Sequence, residues 1–218
     1  MSLELDATGR RIVGTLIEKQ CTTPNVYPLT VNAITVGCSQ KSNREPVRDF
    51  QSFEIEGALR DLYVEGWATN VQQAGSRGLK WKHRATEKLD VEGAALAVMA
   101  ELLLRGPQAP GELRTRASRM ETIGDLSELE TVLGELETKG LVTRLPRRPG
   151  ERAARVDHTL YPAGENPEFA AQDTVSSPVV SPPRAESTGR QAADLEQRVE
   201  LLEDAVRELR ERLSRLEG

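Results

Sequence analysis

Residues 52–84 read SFEIEGALRDLYVEGWATNVQQAGSRGLKWKHR, and the spacing of the apolar side chains changes at Gly66. Before this glycine, which is typical of a helix end, apolar residues recur at helical spacing. After it, apolar and basic residues alternate, which predicts two strands, about 67–73 and 79–84, joined by a turn. The stretch therefore predicts a helix followed by a two-stranded β-hairpin. The predicted inner stripe of the helix is Ile55, Leu59, Leu62 and Tyr63.

Two further helices are predicted upstream of this stretch. The first covers about residues 5–20, with Asp6 as its N-cap, and the sequence around Pro24 breaks it. The second is short and covers about residues 30–38. Three helices followed by a hairpin is the winged-helix order, a helix-turn-helix with an added wing. Residues 1–88 are therefore predicted to form one winged-helix domain.

The same order of elements recurs in residues 89–162. Helices are predicted over 91–104, from Pro110 to about 118 and from Asp125 to Gly140, and strands over 141–145 and 156–161. Gly66 aligns with Gly140 and Pro24 with Pro110, which leaves about 12 extra residues in the first copy. The predicted fold is mostly α with small β wings: tandem winged-helix (helix-turn-helix) domains plus a C-terminal coiled-coil helix.

The last part of the chain is predicted to hold a linker and that coiled coil. Residues 163–190 contain repeated prolines among small and polar residues, which predicts a flexible linker. Residues 191–218 carry an unbroken heptad seam formed by Leu195, Val199, Leu202, Val206, Leu209, Leu213 and Leu216. Valine at a and leucine at d favour a parallel two-stranded coil, so a homodimer is predicted. A single helix packed on its own domains is the alternative, although so narrow a stripe suits a coiled-coil seam better.

The net charge of −5 is concentrated near the C-terminus. Residues 1–90 hold 12 basic and 11 acidic side chains, and residues 91–163 hold 10 and 11. Residues 164–218 hold 7 and 12. The two predicted domains are therefore nearly neutral, and binding to nucleic acid would require a local basic patch on one of them.

The sequence lacks the residues that several functional classes require. The sequence has no apolar run long enough for a membrane span, and its acidic start is unlike a signal peptide, so the cytoplasm is the expected location. There, Cys21 and Cys38 are expected to be reduced thiols. The two histidines, His83 and His158, are too far from them in sequence for a metal site. No catalytic arrangement or phosphate-binding glycine loop is present, which predicts a protein without cofactor or enzymatic activity.

Positive charge is densest in the two predicted hairpins. No acidic residue occurs between positions 66 and 86. Basic hairpins can contact the phosphates of DNA without reading its sequence, so DNA is a predicted partner. The alternative is a charged, solvated hairpin without a partner. The candidate nucleic-acid-binding residues are Arg77, Lys80, Lys82 and Arg84 in the first hairpin and Arg144, Arg147, Arg148, Arg152 and Arg155 in the second.

The third helix of each predicted domain indicates a different kind of partner. The first carries four acidic residues against Arg60, and the second carries four glutamates against Lys139. Such helices would be repelled by phosphates, which disfavours sequence reading in the major groove. A protein-interaction or scaffold module that uses the winged helices and the coiled coil without nucleic acid is therefore the alternative function.

The segment Gln40-Lys41-Ser42-Asn43-Arg44 also has two interpretations. Because it lies next to the predicted helix-turn-helix, Asn43 or Arg44 could contact a base. Alternatively, Asn43 and Ser42 could bond to nearby backbone while Arg44 pairs with an acidic side chain. The second interpretation is favoured, since Ser and Asn bond readily to local backbone in turns.

Several stretches resemble the YceH family of bacterial proteins. They are LIEKQ (16–20), YPL (27–29), QKSNREPV (40–47), KHR (82–84), LLRGPQ (103–108), PGELR (110–114) and LPR (145–147). The resemblance covers about residues 3–162 and differs at Trp81, where tyrosine is expected. It implies tandem winged helices, and it implies no particular catalytic or binding residues.

Overall fold

The computed structural model of the chain describes residues 3–72, 78–148, 150 and 153–165. Within these ranges the protein is mostly helical, with two small antiparallel sheets of two strands each, as predicted. The coiled-coil helix 191–218, the linker beyond residue 165, Arg77 and Arg152 lie outside the described residues. The predictions for them therefore stay predictions.

The first half contains three helices and one hairpin. Its elements are α1 (Ala7–Thr22), a 3₁₀ turn (Pro24–Val26), α2 (Val31–Cys38), α3 (Ser52–Val64), β1 (Ala68–Val71) and β2 (Lys80–His83). The predicted cap of α1 is confirmed, because the Asp6 carboxylate accepts a hydrogen bond from the Gly9 N–H at 2.6 Å. Gln51 and Glu54 form a capping box at the start of α3. After α3, Gly66 takes the positive φ of 81° that lets the chain turn into β1.

The second half contains four helices and one hairpin. Its elements are α4 (Ala85–Leu89), α5 (Gly93–Arg105), α6 (Pro110–Ala117), α7 (Leu126–Thr138), β3 (Val142–Arg144) and β4 (Val156–His158). Pro110 opens α6 and the Asp125 carboxylate accepts from the Glu128 N–H at 2.9 Å, as predicted. Gly140 repeats the conformation of Gly66 with φ 69°. Helix α4 was not predicted, and the expected boundary between residues 88 and 89 falls inside it.

In each sheet, one residue from a loop earlier in the chain pairs with the second strand of the hairpin. In the first sheet Ala68 pairs with His83 and Thr69 with Lys82, and Leu29, just before α2, bridges to Trp81. In the second sheet Val142 pairs with His158. There Gln108, just before α6, bridges to Val156. The second strand of each hairpin is therefore tied to the chain that enters α2 in the first half and α6 in the second.

The inner stripe of α3 is narrower than predicted. Ile55, Leu59 and Leu62 are buried, but Tyr63 is 51% exposed. Its ring meets the buried Trp81 edge-on, with 6.3 Å between the ring centroids. The aromatic side chain therefore covers the base of the first hairpin instead of filling the core.

One hydrophobic core runs through both halves. Leu16 in α1, Leu59 in α3, Leu102 in α5 and Leu133 in α7 belong to the same buried cluster. Helices α1 and α5 pack directly against each other. At this contact Gly14 has no room for a side chain: a Cβ would lie 2.9 Å from Leu104 Cγ and 3.2 Å from the Ala100 carbonyl oxygen. The glycine therefore sets how closely the two halves pack.

Replacing Gly14 with alanine is expected to destabilise the protein. The steric cost of overpacking, about 1–3 kcal/mol, should exceed the gain in helix propensity of up to ~1 kcal/mol. Urea denaturation monitored by circular dichroism measures the free energy of unfolding.

Gly57→Ala provides the matched control. Gly57 lies within α3 and has nothing within 4 Å of a Cβ position. This variant should be more stable than the wild type by up to ~1 kcal/mol. Equal effects of the two alanines would show that α1 and α5 do not pack tightly at Gly14.

Candidate nucleic-acid interface

The first hairpin is anchored by its two inward-facing aromatic side chains. Trp81 and His83 are 7% and 6% exposed. The Trp81 N–H donates to the Leu29 carbonyl at 2.7 Å, and the Leu29 N–H donates back at 3.0 Å. The His83 N–H donates to the Tyr27 hydroxyl at 2.8 Å. These bonds fix β2 at its inner face and leave its other face outward.

The outward face of β2 carries the predicted cations. Lys82 and Arg84 are exposed and Lys80 is half-buried. The cross-strand partners of the two lysines are uncharged, since Lys80 faces Val71 and Lys82 faces Thr69. Within the described part of the chain, none of these three cations forms an ion pair. The first hairpin therefore presents positive charge that local carboxylates do not neutralise.

The charge of the hairpins does not come from their histidines. The Nδ1 atom of His83 accepts from the Ala85 N–H at 3.2 Å, and burial lowers its pKa to about 4. His158 occupies the equivalent place in the second hairpin. Its Nδ1 accepts from the Leu160 N–H at 3.1 Å, and burial lowers its pKa to about 3. Both rings are neutral at pH 7, so the cations that can meet a phosphate are lysines and arginines.

The predicted arginines of the second hairpin are placed differently. Arg144 forms ion pairs with Glu130 at 2.6 Å and Glu137 at 2.7 Å, both in α7. The hydrogen bonds that its guanidinium donates to these carboxylates, first the one to Glu130, raise the pKa of Arg144. Arg144 was predicted to contact a nucleic acid, but in the fold its charge is already paired with these two carboxylates. Arg147 and Arg148 are exposed, Arg155 is half-buried, and all three interact with neighbouring groups.

The exposed face of α3 combines carboxylates with apolar side chains. Glu56, Asp61 and Glu65 are exposed, as the sequence predicted. Phe53 and Val64 are also exposed, at 74% and 81%. Sequence analysis did not single out these two residues, although both lie off the buried stripe. The combination is unlike a surface that enters a major groove, where basic and amide side chains read the bases.

Asn43 and Arg44 of the polar segment 40–44 bond to side chains elsewhere in the fold. The Arg44 guanidinium is buried and bonds the Glu18 carboxylate at 2.5 Å, which confirms the predicted pairing of Arg44 with an acidic side chain. The Asn43 side chain accepts from Arg105 at 2.9 Å. Arg119 also bonds Glu18, and it reaches Glu101 at 3.0 Å. None of these groups is directed at a nucleic acid, because each is held by a partner within the fold.

Burial alone would raise the pKa of Glu18, but the hydrogen bonds and charges of Arg44 and Arg119 lower it. The carboxylate therefore stays ionised in the core, where a neutral acid would lose both partners. This ion pair joins α1 to the loop before α3 and to the turn after α6. It is a structural device of the core and adds nothing to the outward charge.

The architecture can now be compared with known proteins. A family model described as "Protein of unknown function, DUF480" matches residues 5–151. The chain belongs to the DUF480 family. Two relatives are called UPF0502 proteins. The one of Geotalea uraniireducens is 44% identical to this chain, and the one of Geobacter sulfurreducens is 45% identical. The first match covers 91% of this chain and 90% of the relative, and the second covers 82% and 80%.

The resemblance to YceH is confirmed by a third relative. The UPF0502 protein YceH of Salmonella paratyphi B is 39% identical, and the match covers 99% of this chain and 97% of that protein. The DUF480 match includes the whole first hairpin and ends at residue 151, before β4. The first hairpin is therefore a part of the family region as a whole, whereas the second is only partly inside it.

The described residues also bear on the predictions about membrane spans, metal sites and cysteines. Among the helices that it describes, none is long and apolar enough to cross a membrane. Among the described residues, no three His, Cys, Asp or Glu side chains are grouped so as to hold a metal ion. Cys21 is exposed and Cys38 buried, and both are free thiols, as predicted.

Replacing His83 with asparagine is expected to reduce the acid sensitivity of the fold. Because the His83 pKa is about 4 in the folded protein and the ordinary histidine pKa is 6.5, only the unfolded chain binds a proton between these limits. Wild-type stability is therefore lost as the pH falls through this window. Asparagine keeps an acceptor near the Nδ1 position and does not titrate.

Urea denaturation at about pH 7 and about pH 5 measures this effect. On acidification, the free energy of unfolding should fall by about 2 kcal/mol more in the wild type than in the variant. His158→Asn is the companion variant and should behave similarly. An identical fall in wild type and His83→Asn would show that His83 is not buried in its neutral form.

Proposed function

We propose that this DUF480 protein is a non-enzymatic, cytoplasmic homodimer of tandem winged-helix chains that binds the phosphate backbone of DNA, with a regulatory role in transcription. The first hairpin makes the principal contact. Lys82 and Arg84 provide the exposed cations, Lys80 supports them, and Arg77 belongs to the same basic stretch of sequence. This proposal assigns no catalytic residue and no cofactor.

The winged-helix interpretation is supported by the matching hairpins. In both halves a run of three helices, α1–α3 or α5–α7, leads into a hairpin, and a glycine with positive φ follows the last helix of the run. A single residue before the middle helix of each run pairs with the last strand. The buried histidines His83 and His158 also occupy equivalent positions, each accepting from the backbone two residues ahead. Such detailed correspondence is expected of two copies of one supersecondary unit.

The observation that carries the DNA proposal is the unneutralised positive face of β2. Phosphate contacts by lysine and arginine release condensed counterions, which favours binding without sequence reading. A lysine or arginine already paired with a carboxylate must first give up that pair, so Arg144 is a weaker candidate than Lys82 or Arg84. The proposal therefore rests on the first hairpin and gives the second a supporting role.

A protein partner is the second candidate function. The observation that favours it is that Phe53 and Val64 are both exposed on α3, a helix whose exposed residues also include the acidic Glu56 and Asp61. Exposed aromatic residues are enriched where proteins meet, and acidic surroundings disfavour nucleic acid. On this alternative the winged helices and the coiled coil form a scaffold, and the basic hairpins only keep the surface solvated.

Charge removal from the first hairpin is expected to weaken DNA binding in a salt-dependent way. The double variant Lys82→Gln/Arg84→Gln should flatten the slope of log affinity against log salt by about 1.8, because each lost phosphate contact contributes about 0.9. Fluorescence anisotropy with a random-sequence duplex, from about 50 to about 200 mM salt, measures the slope.

The matched control is Lys41→Gln/Arg60→Gln, which makes the same change in net charge at two exposed positions outside the hairpin. Its slope should equal that of the wild type. If the wild type does not bind at low salt, the DNA proposal fails and the protein-partner function stands. Equal slopes in the two double variants would mean that the hairpin is not the contact.

A lysine at the coiled-coil seam is expected to abolish the dimer. Leu202→Lys places a charge at a d position, where it would be buried between helices. Asp204→Lys introduces the same side chain at an outward heptad position and should leave the dimer intact. Size-exclusion chromatography with light scattering measures the mass. A wild-type monomer, or a Leu202→Lys dimer, would contradict the predicted coil.

A further inference from the structure

A cavity of about 500 Å³ opens between α1, the loop before α3 and the turn after α5. Its lining contains four arginines, Arg10, Arg11, Arg48 and Arg105. Of the acidic residues that the structure describes, Glu45 and Glu165 share this lining. The walls therefore carry an excess of positive charge. The charge available to a ligand depends on which of these arginines are already paired with a carboxylate.

Three of the four arginines have a carboxylate partner. Arg10 is paired with Glu165. Arg105 lies 3.0 Å from the buried Glu101, and Arg48 lies 3.4 Å from Glu54. The Arg48 pair is long and its side chain is 51% exposed, so this guanidinium can turn towards a ligand at little cost.

Arg11 is different, because it is buried without an acidic partner. It is 5% exposed, and its guanidinium donates to the Cys38 carbonyl at 3.0 Å and to the Pro46 carbonyl at 2.6 Å. Among the residues that the structure describes, no carboxylate comes within 4.0 Å of it. Burial and then the charge of Arg44 lower its pKa to about 10, which the exposed Glu45 offsets only in part.

An isolated buried cation is costly, and a counter-ion from outside would relieve that cost. The cavity offers the room for one, since small-molecule sites commonly have volumes of about 300–1,000 Å³. It also offers apolar surface. The Phe50 ring lies near two of the cations, with its centroid 6.0 Å from the Arg11 guanidinium carbon and 4.8 Å from that of Arg48. The half-buried Pro107 also lines the cavity.

We propose that this cavity binds a small organic anion, a carboxylate or phosphate ester with an apolar body, through the guanidinium groups of Arg11 and Arg48. The anionic group meets the two cations, where planar guanidinium forks favour oxyanions. The apolar body lies against Phe50 and the α5 end of the cavity. The site uses none of the hairpin cations and does not depend on the binding of DNA.

Isothermal titration of the full-length protein with phenyl phosphate and with benzoate tests the proposal. Each probe is expected to bind at one site with a Kd of about 1 mM or lower, a usual value for ligands of this size. Benzylammonium has a similar shape and the opposite charge, and should not bind. Arg48→Gln should weaken the binding of both anions by about tenfold, the loss expected for one charge-assisted hydrogen bond.

Arg60→Gln is the matched control, because Arg60 is 77% exposed on α3 and does not line the cavity. Lys82→Gln/Arg84→Gln tests independence from the hairpin. Both variants should bind the anions like the wild type. Arg11→Met should abolish binding, and Arg48→Gln decides the matter if the Arg11 variant fails to fold. Absence of anion binding by the wild type, equal binding of benzylammonium, or unchanged affinity in Arg48→Gln would overturn the proposal.

Discussion

The packing of α1 against α5 depends on keeping two buried carboxylates neutralised. Glu18 lies in α1 and Glu101 in α5, and both are almost completely removed from solvent. Arg119 bonds to both, while Arg44 and Arg105 complete the network. Removing one partner of such a buried pair usually costs about 3–5 kcal/mol, because the remaining charge has no water to solvate it. The buried carboxylates need these arginines as partners, and the same ion pairs hold the loops that carry Arg44 and Arg119 against the two helices.

Most of the secondary structure could be predicted from sequence because its causes are local. Asp6, Pro110 and Asp125 mark helix starts, Gly66 and Gly140 mark helix ends, and alternation marks the hairpins. Helix α4 escaped prediction because five residues are too few to establish a helical period. Likewise, Tyr63 packs against the ring of Trp81, which is distant in sequence, so its exposed position could not be predicted from the neighbouring residues.

The candidate interface was only partly predictable, since charge pairing depends on tertiary neighbours. The alternation in residues 79–84 was sufficient to place Trp81 and His83 on one face of β2 and Lys82 on the other. No local pattern revealed that Arg144 would lie beside Glu130 and Glu137, because β3 had first to be placed against α7. Two hairpins of similar composition therefore differ in the charge that they offer to a ligand.

The close approach at Gly14 has a mechanical consequence for both hairpins. Helices that touch at backbone distance, cross-linked by Arg119, leave no hinge between the halves at this contact. The hairpins are tied to those halves by the single-residue bridges at Leu29 and Gln108. The packing of the two halves therefore fixes the distance between the hairpins. A long polymer that contacts both hairpins must fit that distance.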